Sequence, residues 1–153
     1  MLIDYFKIPF GGQLLIWTSR ISLYGSCRTK PNKYDFVNKA FEKVGIYNGS
    51  SLLKPFLSLL KNKENFKIQP MCKRYLIDPE IDLIQCVDAF KYKELNKKYF
   101  INLWSLDQEL DEFMFFGSNL GESFKKANLN TSIASSYDNV HHIKKSENVK
   151  TLH

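Results

Sequence analysis

Residues 105–129, SLDQELDEFMFFGSNLGESFKKANL, place Leu106, Leu110, Phe113, Gly117, Leu120 and Phe124 at spacings of four and three. That recurrence follows one face of a helix of 3.6 residues per turn and not the two-residue alternation of a strand. A long amphipathic helix needs other apolar faces to pack on, so this seam predicts a helical bundle. Gly117 and Gly121 lie inside it, where glycine costs about 1 kcal/mol against alanine. A closely crossing neighbour would account for them, and so would a break at NLG.

The same spacing recurs upstream in shorter runs. In KYDFVNKAFEKVG, Tyr34, Val37, Phe41 and Val44 share a face with Ala40 beside them, Asn32 is placed to cap, and Gly45 is placed to stop the helix. SSLLKPFLSLLKNKE has a broad face of Leu52, Leu53, Phe56, Leu57 and Leu60; Pro55 fits it only within a first turn, where no hydrogen bond is broken. IDPEIDLIQCVDAFKYKE opens with Asp78 as cap, Pro79 at the first helical position and Glu80 and Asp82 beside the positive end of the helix dipole. Ile81, Ile84, Cys86, Val87 and Phe90 are expected inward and Leu83 near the edge. KKYFINLW predicts a second helix or a bent continuation. Residues 13–24, QLLIWTSRISLY, fit a short helix with Leu14, Trp17 and Ile21 on one side, yet their β-branched members also permit a strand.

The fold expected is therefore all-α or predominantly α: a single compact bundle of about five or six short helices. Its 153 residues suffice for one core. Residues 1–12 read as an arm packed on it. The helical domain is assigned to 1–129. Residues 130–153 are polar, rich in Asn, Ser and His, and are assigned to a flexible C-terminal tail.

Cys27, Cys72 and Cys86 are odd in number and widely spaced, which does not fit a secreted disulfide framework and points to a reducing, cytoplasmic setting. The opening segment contains Asp4, Lys7 and a glycine pair and does not read as a signal peptide. No apolar run is long enough for a transmembrane span. No CxxC pair or close His–Cys cluster suggests a metal, and no cofactor motif of the P-loop or dinucleotide-binding kind is present. The carboxylates at 78–82 and 107–112 sit at helix starts and read as capping and solubility devices rather than an acid–base pair.

Charge is distributed unevenly. The chain has net charge +6, but residues 1–77 hold thirteen Lys/Arg against four Asp/Glu, whereas residues 78–153 hold nine against twelve. Within the basic half, WTSRISLYGSCRTKPNKY, residues 17–34, contains no acid. Arg20, Arg28, Lys30 and Lys33, with Trp17, form the candidate anion- or partner-binding set near the start of the 32–44 helix, and Cys27 is a candidate redox-sensitive thiol beside those cations.

These residues favour a non-enzymatic adaptor, regulatory or complex-subunit protein with a basic N-terminal surface for an acidic or phosphate-bearing partner. That partner is expected to be a protein or a second copy. A nucleic-acid backbone binder is one alternative, and a small enzyme acting on an anionic substrate is another. MFF at 114–116 exceeds what one helix side readily buries, a pattern found at interfaces.

Overall fold

The structure is a computed structural model that describes residues 2–25, 33–92 and 97–133, with the side chains of 33–35 excepted. It is mostly helical. Six helices, α1 (Phe10–Tyr24), α2 (Lys33–Glu42), α3 (Gly49–Leu60), α4 (Asp78–Lys91), α5 (Lys98–Leu103) and α6 (Leu110–Lys126), carry the described core. Two short strands, β1 (Ile3–Asp4) and β2 (Tyr75–Leu76), pair antiparallel, with Ile3 opposite Leu76 and Asp4 opposite Tyr75. A single 3-10 turn over Tyr5–Lys7 joins β1 to the approach to α1.

Residues 13–24, open to either reading, are helical, and the helix begins three residues earlier than the QLLIW run, taking in Gly11 and Gly12. α1 is covered on most of its sides. Leu15 and Ile16 are fully buried, and so are Thr18 and Ser19. Thr18 satisfies its hydroxyl by donating to the carbonyls of Leu14 and Leu15. Gly25, with φ 75°, ends the helix while its N–H donates to Ile21 O at 2.7 Å.

Gly45 closes the region after α2 at φ 88°, as its place in the pattern predicts. Asn32, the expected cap of α2, lies outside the described residues. α3 starts at Gly49, so Pro55 stands at its seventh position and not in a first turn. The carbonyl that Pro55 cannot serve belongs to Ser51, which is exposed, so water can take the missing donor's place.

The core centres on α3, α4 and α6. Phe113 of α6 is fully buried and stacks on Phe56 of α3 at 5.4 Å, with Phe90 of α4 at 5.3 Å and Trp104 at 6.2 Å completing the cluster. Leu83, expected near an edge, is fully buried too, because α4 is packed on more than one side. The two glycines of the α6 seam are explained by a crossing neighbour. A Cβ at Gly117 would run into the Phe90 ring, and one at Gly121 would stand 2.6 Å from the Phe90 carbonyl carbon.

Past Leu129, where composition turns polar, packing continues to Ile133. Thr131 and Ile133 are buried. The ammonium of Lys91, itself buried, donates to Leu129 O at 2.7 Å and to Thr131 Oγ1 at 3.3 Å, while Thr131 donates to Asp88 Oδ1 at 2.6 Å. The Asn130 carbonyl lies where a Cβ on Gly11 would have to go, which seats this segment against the start of α1.

Two outcomes follow. Gly121→Ala is expected to destabilise the fold by about 1–3 kcal/mol through overpacking, despite the ~1 kcal/mol that alanine gains in helix propensity. Urea midpoints check this, with the exposed Ser118→Ala as control. Secondly, Glu109 accepts from the Asp107 N–H and from Lys63 Nζ, and these contacts lower its pKa from 4.5 to about 2. Its ionised form is favoured by folding, so its contribution is complete above the unfolded value and is lost as pH falls through about 2. Carboxyl NMR titration should show that low midpoint, and Lys63→Ala should raise it in part.

Candidate functional site

The basic stretch at 17–34 is only partly within the described residues. Cys27, Arg28 and Lys30 lie outside them, and Lys33 is the first residue of α2 with its side chain undescribed. Trp17 and Arg20, one turn apart on α1, are described, and both line one surface cavity.

Arg20 is not the open anion binder that its neighbourhood in sequence implies. It is 3% exposed, and its guanidinium grips Glu80 with two bonds: Nε to Oε2 at 2.8 Å and Nη2 to Oε1 at 2.9 Å. Nη1 donates to Lys73 O at 2.7 Å. Such a fork-to-fork pair satisfies a buried charge in a way that a phosphate from outside would have to displace. Arg20 therefore positions the 69–74 segment.

Glu80 bears out the capping half of the reading of the 78–82 acids and corrects the solubility half. It is fully buried, and besides Arg20 it accepts from the Gln69 amide N–H, the Gln69 side chain and the Ile77 N–H. The last bond caps α4 from inside its first turn, with Ile77 in the cap position that Asp78 was expected to hold. On the other side of the cavity, Arg74 pairs with Asp4 at 2.9 Å, and the Tyr5 N–H donates to Arg74 O at 2.8 Å. The Phe6 N–H, and then Arg74, hold the Asp4 carboxyl below its ordinary pKa.

Between these clamps Trp17, on the side of α1 that it shares with Leu14 and Ile21, packs against the core and is left half-buried. It forms a wall of three adjoining depressions. One, of about 380 Å³, is lined by Tyr5, Phe6, Met71, Cys72, Lys73 and Arg74 among others. A second, of about 500 Å³, lies against α2, lined by Phe36, Lys39, Ala40 and Lys43. A third, of about 220 Å³, reaches Phe10 and Val44. Together they make a groove between α1, α2 and the N-terminal arm. Phe6 is 71% exposed and Phe10 is 57% exposed, and Phe36 is exposed as well. Lys39, Lys43 and Lys73 stand free of ion pairs among the described residues, while Glu42 supplies an acid on the α2 side.

Sequence reasoning set Trp17 in the candidate anion- or partner-binding set and missed its neighbours on α2, the N-terminal arm and the 71–74 segment. The legible signal was a second apolar position on α2, Phe36–Ala40, flanked by Lys39 and Lys43 on the side away from Val37 and Phe41. Lys73 and Arg74 were not locatable, because the β1–β2 pairing that brings them to Tyr5 is only two residues long on each strand.

Among the described residues no three His, Cys, Asp or Glu side chains converge as metal ligands, and no helix is long and apolar enough to cross a membrane. Cys86 is buried, and burial pushes its thiol pKa well up, whereas Cys72 is exposed at the cavity rim. No known protein family, curated protein or solved structure matches the chain.

Breaking the buried pair is expected to be costly. Glu80→Ala and Arg20→Ala should each destabilise by about 3–5 kcal/mol, the cost of leaving one buried charge uncompensated. The double substitution should cost clearly less than the sum of the two, a non-additivity that urea denaturation of all three variants measures.

Proposed function

We propose that the protein is a non-enzymatic adaptor, regulatory or complex-subunit protein whose basic N-terminal surface recognises an acidic or phosphate-bearing partner. One observation carries this reading: three exposed phenylalanines and three lysines without ion pairs among the described residues surround the half-buried Trp17 in one groove. Grouped exposed aromatics are the ordinary mark of a contact surface. The cations around them select an occupant of opposite charge and raise its rate of encounter. Apolar anchors set among charges suit a peptide segment with bulky side chains.

A second reading has one observation in its favour. Trp17 and Phe36 line the same depression as Lys39 and Lys43, an arrangement on which the bases of a single strand could stack with the cations on its backbone. The Glu42 carboxylate in that depression, and a Gln13 amide already donating to Ile8 O, favour the protein partner over it. An enzyme acting on an anion draws less support, since the guanidinium best placed to hold one is bound to Glu80.

Trp17 makes the test direct. The chain has two tryptophans, and the other, Trp104, is 1% exposed, so changes in emission on binding report the groove. An amphipathic peptide of Glu, Leu and Phe, its Lys-for-Glu counterpart and a single-stranded oligothymidylate would be titrated at low and high salt. The acidic peptide is expected to change Trp17 emission and to bind more weakly as salt rises. Lys39→Glu with Lys43→Glu should weaken it about tenfold or more. A response to the oligothymidylate alone would transfer the groove to nucleic acid, and silence toward every probe would overturn the proposal.

A further inference from the structure

We infer that the depression of about 380 Å³ between Trp17 and the 71–74 segment is a pocket for a small planar aromatic carboxylate. This goes beyond the docking role given above, whose test acts on Lys39 and Lys43 at the α2 side.

Three of the walls are aromatic. Tyr5 and Phe6 meet edge to face at 5.1 Å and make a corner, and Trp17 lines the same cavity. Tyr5 is held in place twice: its hydroxyl donates to Gln13 O at 3.0 Å, and the Arg20 guanidinium lies 5.7 Å from its ring centroid. Trp17 by contrast has neither a ring neighbour nor a hydrogen-bond partner for its indole N–H among the described residues. A flat ring entering the fixed corner therefore finds an aromatic face still to be covered, in the offset or edge-on arrangements that such rings favour.

Charge selects the other end of the ligand. Arg20, Lys73 and Arg74 line the cavity, and no Asp or Glu does. Two of these cations are committed, Arg20 to Glu80 and Arg74 to Asp4. Lys73 has no ion pair among the described residues, and its carbonyl accepts from Arg20 Nη1 at 2.7 Å, which fixes the backbone from which the ammonium reaches. One uncompensated positive charge thus stands at the rim. A single carboxylate matches it, whereas a doubly charged phosphate ester exceeds it.

Size agrees with this chemistry. Pockets for small ligands run from about 300 to about 1,000 Å³, with mostly apolar walls and few charged groups. The cavity is at the lower end of that range and has room for a fused-ring acid.

The chain has two tryptophans, so a proton–nitrogen correlation spectrum shows two indole N–H signals, which Trp17→Phe assigns. Naphthoate is expected to move the Trp17 signal saturably and to leave that of the buried Trp104 in place. Its neutral counterpart, naphthamide, should bind about tenfold more weakly. Lys73→Glu should weaken naphthoate about tenfold with little change for naphthamide, and Phe6→Ala should weaken both alike. Both positions are exposed, and unchanged amide signals elsewhere verify the fold. Lys39→Glu with Lys43→Glu should leave naphthoate binding within about twofold.

A Trp17 signal that stays in place through millimolar naphthoate would overturn the proposal, and so would naphthamide binding as well as the acid. A response lost with Lys39 and Lys43 but kept without Lys73 and Phe6 would overturn it too, because the ligand then occupies the neighbouring depression. Naphthoate bound where the acidic peptide is not removes the docking role alone. The peptide bound where naphthoate is not removes this pocket alone.

Discussion

The carboxylate of Glu80 takes donors from three parts of the chain: the guanidinium of Arg20 on α1, the backbone and side chain of Gln69, and the first N–H before α4. Both of its oxygens are out of water, so the fold tolerates the charge only because each oxygen is multiply bonded. With Arg20 fixed, its third nitrogen holds the Lys73 carbonyl, and the neighbouring Arg74 reaches Asp4. The N-terminal arm, the two-stranded pairing and the start of α4 are in this way tied to one anion. The aromatic groove exists because that tie draws the arm and the 71–74 segment to one side of Trp17 and leaves α2 on the other.

Elements that depend on a periodic apolar face were legible in the sequence. The α6 seam, the inward side of α4 and the stop at Gly45 all follow from local spacing, and of the two readings open for Gly117 and Gly121, a break at NLG or a neighbour at close range, the structure has the neighbour. What escaped was pairing between distant residues. Nothing near Arg20 in the sequence points to Glu80, and an acid in a first helical turn reads as a dipole partner unless its burial is known. The β1–β2 contact is too short to leave an alternation. Leu83 was misjudged because a single-face reading of α4 cannot register a helix packed on several sides.

The candidate site was legible to a smaller degree. Trp17 and the basic character of the first half were readable; the division of labour among the cations was not. Arg20 is internal and structural, whereas Lys39, on the outer side of a helix whose inner side dominated its pattern, and Lys43, just past its end, are exposed. Charge counted along a sequence does not separate an ion committed to a buried partner from one left in water. Only burial and geometry do, and here they set Arg20 apart from the exposed Lys39, Lys43 and Lys73.

The seat of Lys91 bears on where the domain can be cut. Composition changes after Leu129, and a designer trimming the protein by polarity would end it there. That cut would take away Thr131, disturb the carbonyl at Leu129 and leave the buried Lys91 ammonium with the Asp88 carboxylate at 4.0 Å in place of its short hydrogen bonds, while baring the flank of Gly11 at the start of α1. Four modest residues thus serve as a latch on the opposite end of the chain, and a version of this bundle that keeps the latch ends no earlier than Ile133.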